Sequence, residues 1–352
     1  MACSQSPGLS TVERSPVRAA RDTCTFLGMN RRLEVIAAGR GGWFTRPDAH
    51  AAGYSDSELR QRVRSGQWLR MSFNSYVDPR AWPDEPPWER AARLHLLHVR
   101  MASERLGDVV VSHQSAALLH GLPVWGTDLS RAHFTRRASG RPRTGRGVQV
   151  HRGRPAADEV VELGGLHVTS VDRAIVETAC TTSYEVGVVL ADVALRRLTT
   201  RERLAAVVRR HRHWHGLPAA QAAVLFADAR SESVGESRFR VLLANHGLPT
   251  PELQGGDPGR GWSPDRSGRL PARRSPDRRV RRRDEVRRQR RRRTGEKWRE
   301  DRLRERGFGV LRFGWADLDH PHDTAARIRR ALAAHATGTG NRRLLVPSPR
   351  RG

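Results

Sequence analysis

The chain has 352 residues, with 64 Lys and Arg against 37 Asp and Glu, a formal charge of +27 and 37% apolar residues. That length points to two or three domains rather than one. No run of 18 or more apolar residues occurs, which excludes a membrane-spanning helix, so a soluble, cytoplasmic protein without a membrane partner is expected.

Cys3, Cys24 and Cys180 lie far apart and form no C-x-x-C pair, so neither a disulfide scaffold nor a zinc ribbon is expected. A chain this positive attracts polyanions, nucleic acid first among them. Lys297 is the sole lysine, however, and arginine codons are GC-rich, so coding bias supplies part of the charge.

Residues 1–28 show no apolar periodicity and lack the apolar core of a secretion signal, and they read as a disordered leader; Met29 is equally placed to be the start. From Arg31 to Ala38 the pattern is helical and ends at Gly39, Gly41 and Gly42. Thr45 before Arg46-Pro47 caps a second helix that stops at Gly53. Ser55 or Ser57 caps a third, with Leu59 and Val63 on its buried face and Arg60, Gln61 and Arg64 pointing elsewhere. Two short strands follow, Trp68 to Met71 and Ser75 to Val77, turning around Phe73-Asn74.

Three short helices and a hairpin over residues 29–80 make a winged helix-turn-helix, whose third helix enters the major groove. Arg60, Arg62, Arg64 and Arg70 are then expected on phosphates, and Ser55, Ser57 and Gln61 on base edges of double-stranded DNA. About six arginine contacts would give a log–log salt slope on the order of −5. The same spacing also fits a helical hairpin that only packs on its neighbours.

A mixed α+β middle domain is expected over residues 86–225. It takes in helices at 88–104 and from Ser112 to His120, strands at Arg131 to Thr135, Val148 to His151, Val160 to Leu163 and Leu166 to Thr169, and helices from Val171 to Cys180 and across Glu185 to Val208. His113 and His120, on one helix without carboxylate neighbours, read as structural. His211, His213 and His215 around Trp214 read as a solvated basic helix end.

In the last third, a helix capped near Ser231 or Ser233 runs to Gly247, a second spans Trp298 to Arg306, and a buried strand spans Gly309 to Phe313. Between them, residues 255–296 hold 16 arginines and five apolar residues. Three readings fit this segment: a solvated linker, an arginine-rich nucleic-acid arm, or a stretch translated out of frame. Codons chosen within degeneracy for Asp277 to Arg288, read one base later, give Ile-Val-Glu-Phe-Asp-Gly-Glu-Met-Lys-Tyr-Ala-Gly, an apolar strand running into acids and a lysine.

From Met29 to about Leu122 the chain resembles the AbiEi-type antitoxins. The residues that carry the likeness are Gly42-Trp43-Phe44-Thr45-Arg46, Ala52-Gly53, Ser65-Gly66-Gln67-Trp68, Ser112-His113-Gln114-Ser115-Ala116-Ala117 and Leu119-His120-Gly121-Leu122. Residues 229–335 resemble the very-short-patch repair endonucleases of the restriction-endonuclease-like superfamily, through Gly235-Glu236-Ser237-Arg238, Leu248-Pro249-Thr250-Pro251, Glu296-Lys297-Trp298-Arg299-Glu300 and Gly307-Phe308-Gly309-Val310.

That second resemblance implies an α/β domain in which carboxylates hold Mg2+ and the metal activates water. Glu236 matches the helix glutamate and would be both catalytic and a metal ligand, and Lys297 would steady developing charge. The central strands with the remaining acids fall in 255–296 and are not recognisable, so an incomplete, inactive domain is expected, poorly folded after about Gln254, followed by a disordered tail at 336–352. Asp284 and Glu285 read as solvated.

The expectation is thus an α+β multidomain regulator or antitoxin that binds double-stranded DNA and a cognate toxin, with no cofactor as the chain stands. The alternative is a Mg2+-dependent DNA endonuclease targeted by its winged helix. RNA binding through the arginine-rich segment is the third.

Overall fold

A computed structural model describes residues 29–82, 85–137, 143–145, 147–249, 309–311, 313–336 and 344–345. The chain is α+β and divides into two compact units, residues 1–83 and 84–352. Among the described residues no helix is long and apolar enough to cross a membrane.

The N-terminal unit runs α1 (Arg31–Gly39), β1 (Trp43–Thr45), α2 (Arg46–Ala51), α3 (Asp56–Arg64), β2 (Leu69–Ser72) and β3 (Ser75–Val77). Each helix start has a local cause. Asn30 Oδ1 accepts the Leu33 amide at 2.9 Å. Thr45 and Ser55 each head a capping box, closed by Asp48 and Glu58 three residues on. Between Gly42 and Arg46 the chain is extended: Trp43–Thr45, which the pattern left unassigned, pairs antiparallel with β3, giving a sheet of order β1-β3-β2. Three residues are too few for a periodicity of two to register.

Leu33, Phe44, Ala49, Tyr54, Leu59, Trp68 and Tyr76 fill the core of this unit. Phe44 meets Trp68 edge-on at 4.8 Å and stacks on Tyr76 at 5.8 Å, and Trp68 meets Tyr54 edge-on at 5.1 Å. In so small a unit, large aromatic rings bury much apolar area per residue.

The second unit opens with α4 (Pro87–Leu106) and is built on a six-stranded mixed sheet. Its strands are β4 (Val109–Val111), β5 (Ala132–Arg136), β6 (Arg143–Gly145), β7 (Val148–His151), β8 (Val160–Leu163) and β9 (Leu166–Thr169), in the order β6-β7-β5-β4-β9-β8. The three valines of β4 are all buried, as a strand between two neighbours requires. α5 (His113–Leu119) follows β4 directly. Next come α6 (Val171–Thr181), α7 (Tyr184–Leu195), α8 (Arg201–Arg210), α9 (Leu217–Phe226) and α10 (Val234–Asn245). Ile175, Val176, Leu190, Leu204, Leu217 and Val224 pack these helices together.

The expected boundary between residues 225 and 229 crosses continuous packing. Val241 of α10 packs with Val188 and Ala223, and Arg240 forms a buried ion pair with Asp192 at 2.7 Å. Nor does order end at Gln254. Helices Trp315–Asp319 and Pro321–Ala336 pack Leu318, Ala325 and Ile328 onto Phe239, Leu242 and Leu243 of α10. Their apolar spacing stays helical beyond the arginine-rich insert. The expected strand from Gly309 to Phe313 is shorter, Gly309–Val310, and it pairs in parallel with Leu344–Leu345. That pair lies inside the stretch expected to be disordered, where Leu344-Leu345-Val346 is the one apolar run. The leader 1–28, the insert 255–296, Lys297, and the helix expected from Trp298 to Arg306 lie outside the described residues.

Candidate functional site

The residues expected on DNA sit on α3, at its cap, and in the β2–β3 hairpin, but they are not equally available. Leu59 and Trp68 anchor α3 to the core, which leaves Ser57, Arg60, Gln61 and Arg64 exposed. Arg70 is exposed on β2, its Nε donating to Ser72 O at 3.4 Å. Phe73 at the hairpin tip is 77% exposed, next to Asn74, whose φ of 61° makes the tight turn.

Two of the expected contacts are held by the fold, and exposed Ser57 shares a hydrogen bond with Ser55 through their hydroxyls, 2.9 Å apart. The Arg62 guanidinium lies over the rings of Tyr54 and Trp68, at 5.1 and 5.0 Å, and donates to Gln67 Oε1 at 3.1 Å. The Ser55 hydroxyl accepts the Glu58 amide at 3.3 Å and donates to Glu58 Oε2 at 2.8 Å, so it is the helix cap. Counting residues along the helix places Arg62 among the exposed arginines; only the fold brings two aromatic rings beneath it. Near the start of α3, Arg46 forks onto Asp56, which also takes His50 Nε2 at 2.9 Å.

Glu236 lies in the first turn of α10. Its Oε2 accepts the Glu232 amide at 2.6 Å, and its own amide donates to Ser233 Oγ at 3.2 Å. This is an N-terminal capping arrangement. Among the described residues one group of His, Cys, Asp or Glu side chains is close enough to share an ion, and Glu236 is not in it. Mg2+ requires several oxygen ligands. The described residues do not provide them at Glu236.

The group that does form was not visible in the sequence. His113 opens α5, His133 lies on β5 and His151 ends β7; one nitrogen from each falls within 4.8 Å of the other two. β5 and β7 are parallel neighbours with His133 opposite Gln149 and Thr135 opposite His151, so the two histidines share a sheet face diagonally. His133 Nδ1 lies 2.9 Å from His151 Nε2, and the His113 ring stacks on that of His151 at 3.6 Å. Burial is the main reason all three stay neutral: His113 is held well below its usual value, His133 falls to about 3 and His151 to about 4.

Behind them lies a buried ionic chain. Arg173 on α6 donates through Nε to Glu177 at 2.7 Å and through Nη1 to Glu159 at 2.5 Å. Glu159 takes His211 Nε2 at 2.6 Å, and His211 stacks on Trp214 at 4.0 Å. Burial alone would raise Glu159, but His211, the Ala156 amide and Arg173 outweigh it and leave it lowered. Burial raises Glu177 against the pull of Arg173. His211 is therefore part of the interior and not a solvated helix end, whereas His213 and His215 are exposed. His113 likewise has a carboxylate neighbour: Glu177 Oε2 accepts its amide at 3.2 Å and lies 3.8 Å from its Nδ1. Residue 177 is 64 positions away, beyond the reach of a helical-neighbour argument.

The family profile described as "Transcriptional regulator, AbiEi antitoxin" matches residues 31–72, which places a domain of that kind in the N-terminal unit. Two Mycobacterium tuberculosis proteins, "Uncharacterized protein Rv2248" and "Uncharacterized protein MT2308", are each 29% identical to this chain over 198 residues, covering 56% of it and 67% of their own length. The chain is also similar, at a TM-score of 0.37 and 16% identity, to the protein described as "Crystal structure of RV2827C protein from Mycobacterium tuberculosis", over 57% of this chain and 78% of that one. So slight a structural likeness carries no statement about fold or function.

Proposed function

We propose that residues 29–80 form a winged helix-turn-helix that binds double-stranded DNA, and that the protein acts as a transcriptional regulator of the antitoxin type, with a cognate toxin as the second partner that this reading implies. The observation that carries the proposal is the match of residues 31–72 to the antitoxin and regulator family, on a helix α3 that exposes Arg60, Gln61 and Arg64 together. Arg60, Arg64 and Arg70 take the phosphates, and Gln61, with its bidentate amide, suits an adenine edge in the major groove. Ser57 sits one turn before Gln61 and extends the same face.

With Arg62 held by Tyr54 and Trp68, three arginines carry the phosphate contacts, so the log of the association constant against log salt should have a slope of roughly −3. The test is fluorescence anisotropy of the full chain with a labelled duplex of the DNA upstream of its own gene, over a series of salt concentrations. A flat response would refute the interface. Replacing Arg60 and Arg64 together by alanine should weaken binding to all duplexes and make the slope shallower by about 2. Gln61→Ala should instead narrow the gap between the upstream duplex and a scrambled one.

A further inference from the structure

We propose that His113, His133 and His151 bind one divalent transition-metal ion, of the class to which zinc belongs. The three residues reach the site from α5, β5 and β7, so the sheet and the helix that follows β4 must all be in place before the nitrogens converge. Neutral imidazole is a ligand form for zinc, with metal–nitrogen bonds of about 2.0–2.1 Å, which place ligand nitrogens roughly 3.3 Å apart in a tetrahedron. The nitrogens now spread up to 4.8 Å, and the His113 and His151 rings stack, so binding requires one of these two rings to turn out of the stack until its in-plane lone pair faces the ion.

Without a cation the cluster is short of protons. Three neutral rings carry one N–H each, and His133 points its Nδ1–H at His151 Nε2, 2.9 Å away. Gln114 Nε2 donates to His133 Nε2 at 2.8 Å and to Asp128 O at 3.3 Å, while Gln114 Oε1 is buried without a hydrogen-bond partner. For Nδ1 to bind a metal the His133 proton must sit on Nε2, and the Gln114 amide must then present its oxygen there and give up its bond to Asp128 O. Such an outer partner is what fixes the tautomer of a metal-binding histidine.

Ser112 Oγ holds His113 Nδ1 at 3.0 Å, and the Glu177 carboxylate, which it shares with Arg173, lies 3.8 Å from the same atom. His113 has a φ of 54°, in the left-handed region, and its amide donates to Glu177. Backbone strain of this kind is found where a side chain must be aimed. Three protein nitrogens leave a fourth position open to water, the arrangement of zinc sites that act on a ligand rather than of those that only brace a fold.

The full chain, stripped with a chelator, is titrated with ZnCl2 by calorimetry and with CoCl2 by visible spectroscopy, and the zinc form is examined by X-ray absorption. Expected are saturation at one equivalent, the intense visible bands of four- or five-coordinate cobalt, and a shell that fits three imidazoles. His133→Gln and His151→Gln should each weaken binding by more than about 100-fold, whereas His213→Gln should leave it unchanged. Failure to take up either ion, equal affinity in all three variants, or a shell without three imidazoles overturns the proposal. The X-ray absorption measurement needs no variant, so it decides the matter even if the histidine replacements do not fold.

Discussion

In the N-terminal unit the core is built around Phe44, Tyr54, Trp68 and Tyr76, and most charged groups point outward; in the second unit Arg173, Glu159, Glu177, His95 and His113 are themselves buried. An aromatic core is held by area and shape, so its surface is free to carry a binding face. A polar core is held by completed hydrogen bonds, and each missing partner leaves a group that water can no longer satisfy. Removing one buried group should therefore harm the second unit far more than removing one exposed group harms the first.

Arg173 gives the largest expected effect. Its guanidinium is the shared partner of Glu159 and Glu177, and it also lies over the Trp214 ring at 4.9 Å. Arg173→Ala strands two buried carboxylates and should cost about 3–5 kcal/mol, read as a lowered midpoint in urea denaturation of the second unit. Arg173→Met, which keeps the stem but not the charge, should be nearly as damaging. If either variant retained wild-type stability, the ionic chain would not be what holds α6 to the sheet.

The same contrast separates what can be read from the sequence from what cannot. The elements of the first unit follow from neighbours three or four apart: Asn30, Thr45 and Ser55 as caps, glycines as stops, Leu59 and Val63 as a buried pair. Four of the six strands of the second unit are also legible, β7, β8 and β9 among them because they alternate or carry apolar residues within their own length, whereas the three-residue strands β4 and β6 are too short to register. The histidine cluster is not legible, since His133 meets His151 through the parallel pairing of β5 with β7 and His113 reaches them at the end of β4, the antiparallel neighbour of β5, and strand partners cannot be counted off along a chain. Arg62 fails for a related reason: its helical position says exposed, but Tyr54 and Trp68 come from either side of α3. At Glu236 the local cap accounts for the contacts of the carboxylate.

A pH titration sharpens the contrast at His95, which is buried on α4. Its Nδ1 donates to Leu129 O at 2.8 Å, and its Nε2 accepts from the Ser115 hydroxyl at 2.8 Å; Ser115 Oγ in turn accepts the His133 amide at 2.9 Å. Burial is the first cause that lowers its pKa from 6.5 to about 4. The unfolded chain therefore takes up a proton before the folded one does, and stability is lost as pH falls. The contribution is complete above about pH 7, declines between 6.5 and about 4, and is flat below that. The full loss is roughly 3 kcal/mol. His95→Gln should remove this part of the slope in urea midpoints measured from pH 7 to 4, and an unchanged slope would assign the acid sensitivity to other groups.

The smallest effect tests whether Arg62 belongs to the core or to the DNA face. As a brace, it contributes through two aromatic rings and the Gln67 amide oxygen, so Arg62→Ala should lower the stability of the N-terminal unit by about 1 kcal/mol. Once corrected for the folded fraction, its salt slope on DNA should equal that of the wild type, because no phosphate contact is lost. Arg64→Ala should do the reverse, leaving stability within about 0.5 kcal/mol and making the slope shallower by about 1. The two residues sit two positions apart on one helix with the same side chain, so any difference between them comes from what the fold places beneath each. Were Arg62→Ala to shift the salt slope as Arg64→Ala does, its guanidinium would have to leave Tyr54 and Trp68 on binding, and the aromatic core would be part of the recognition surface.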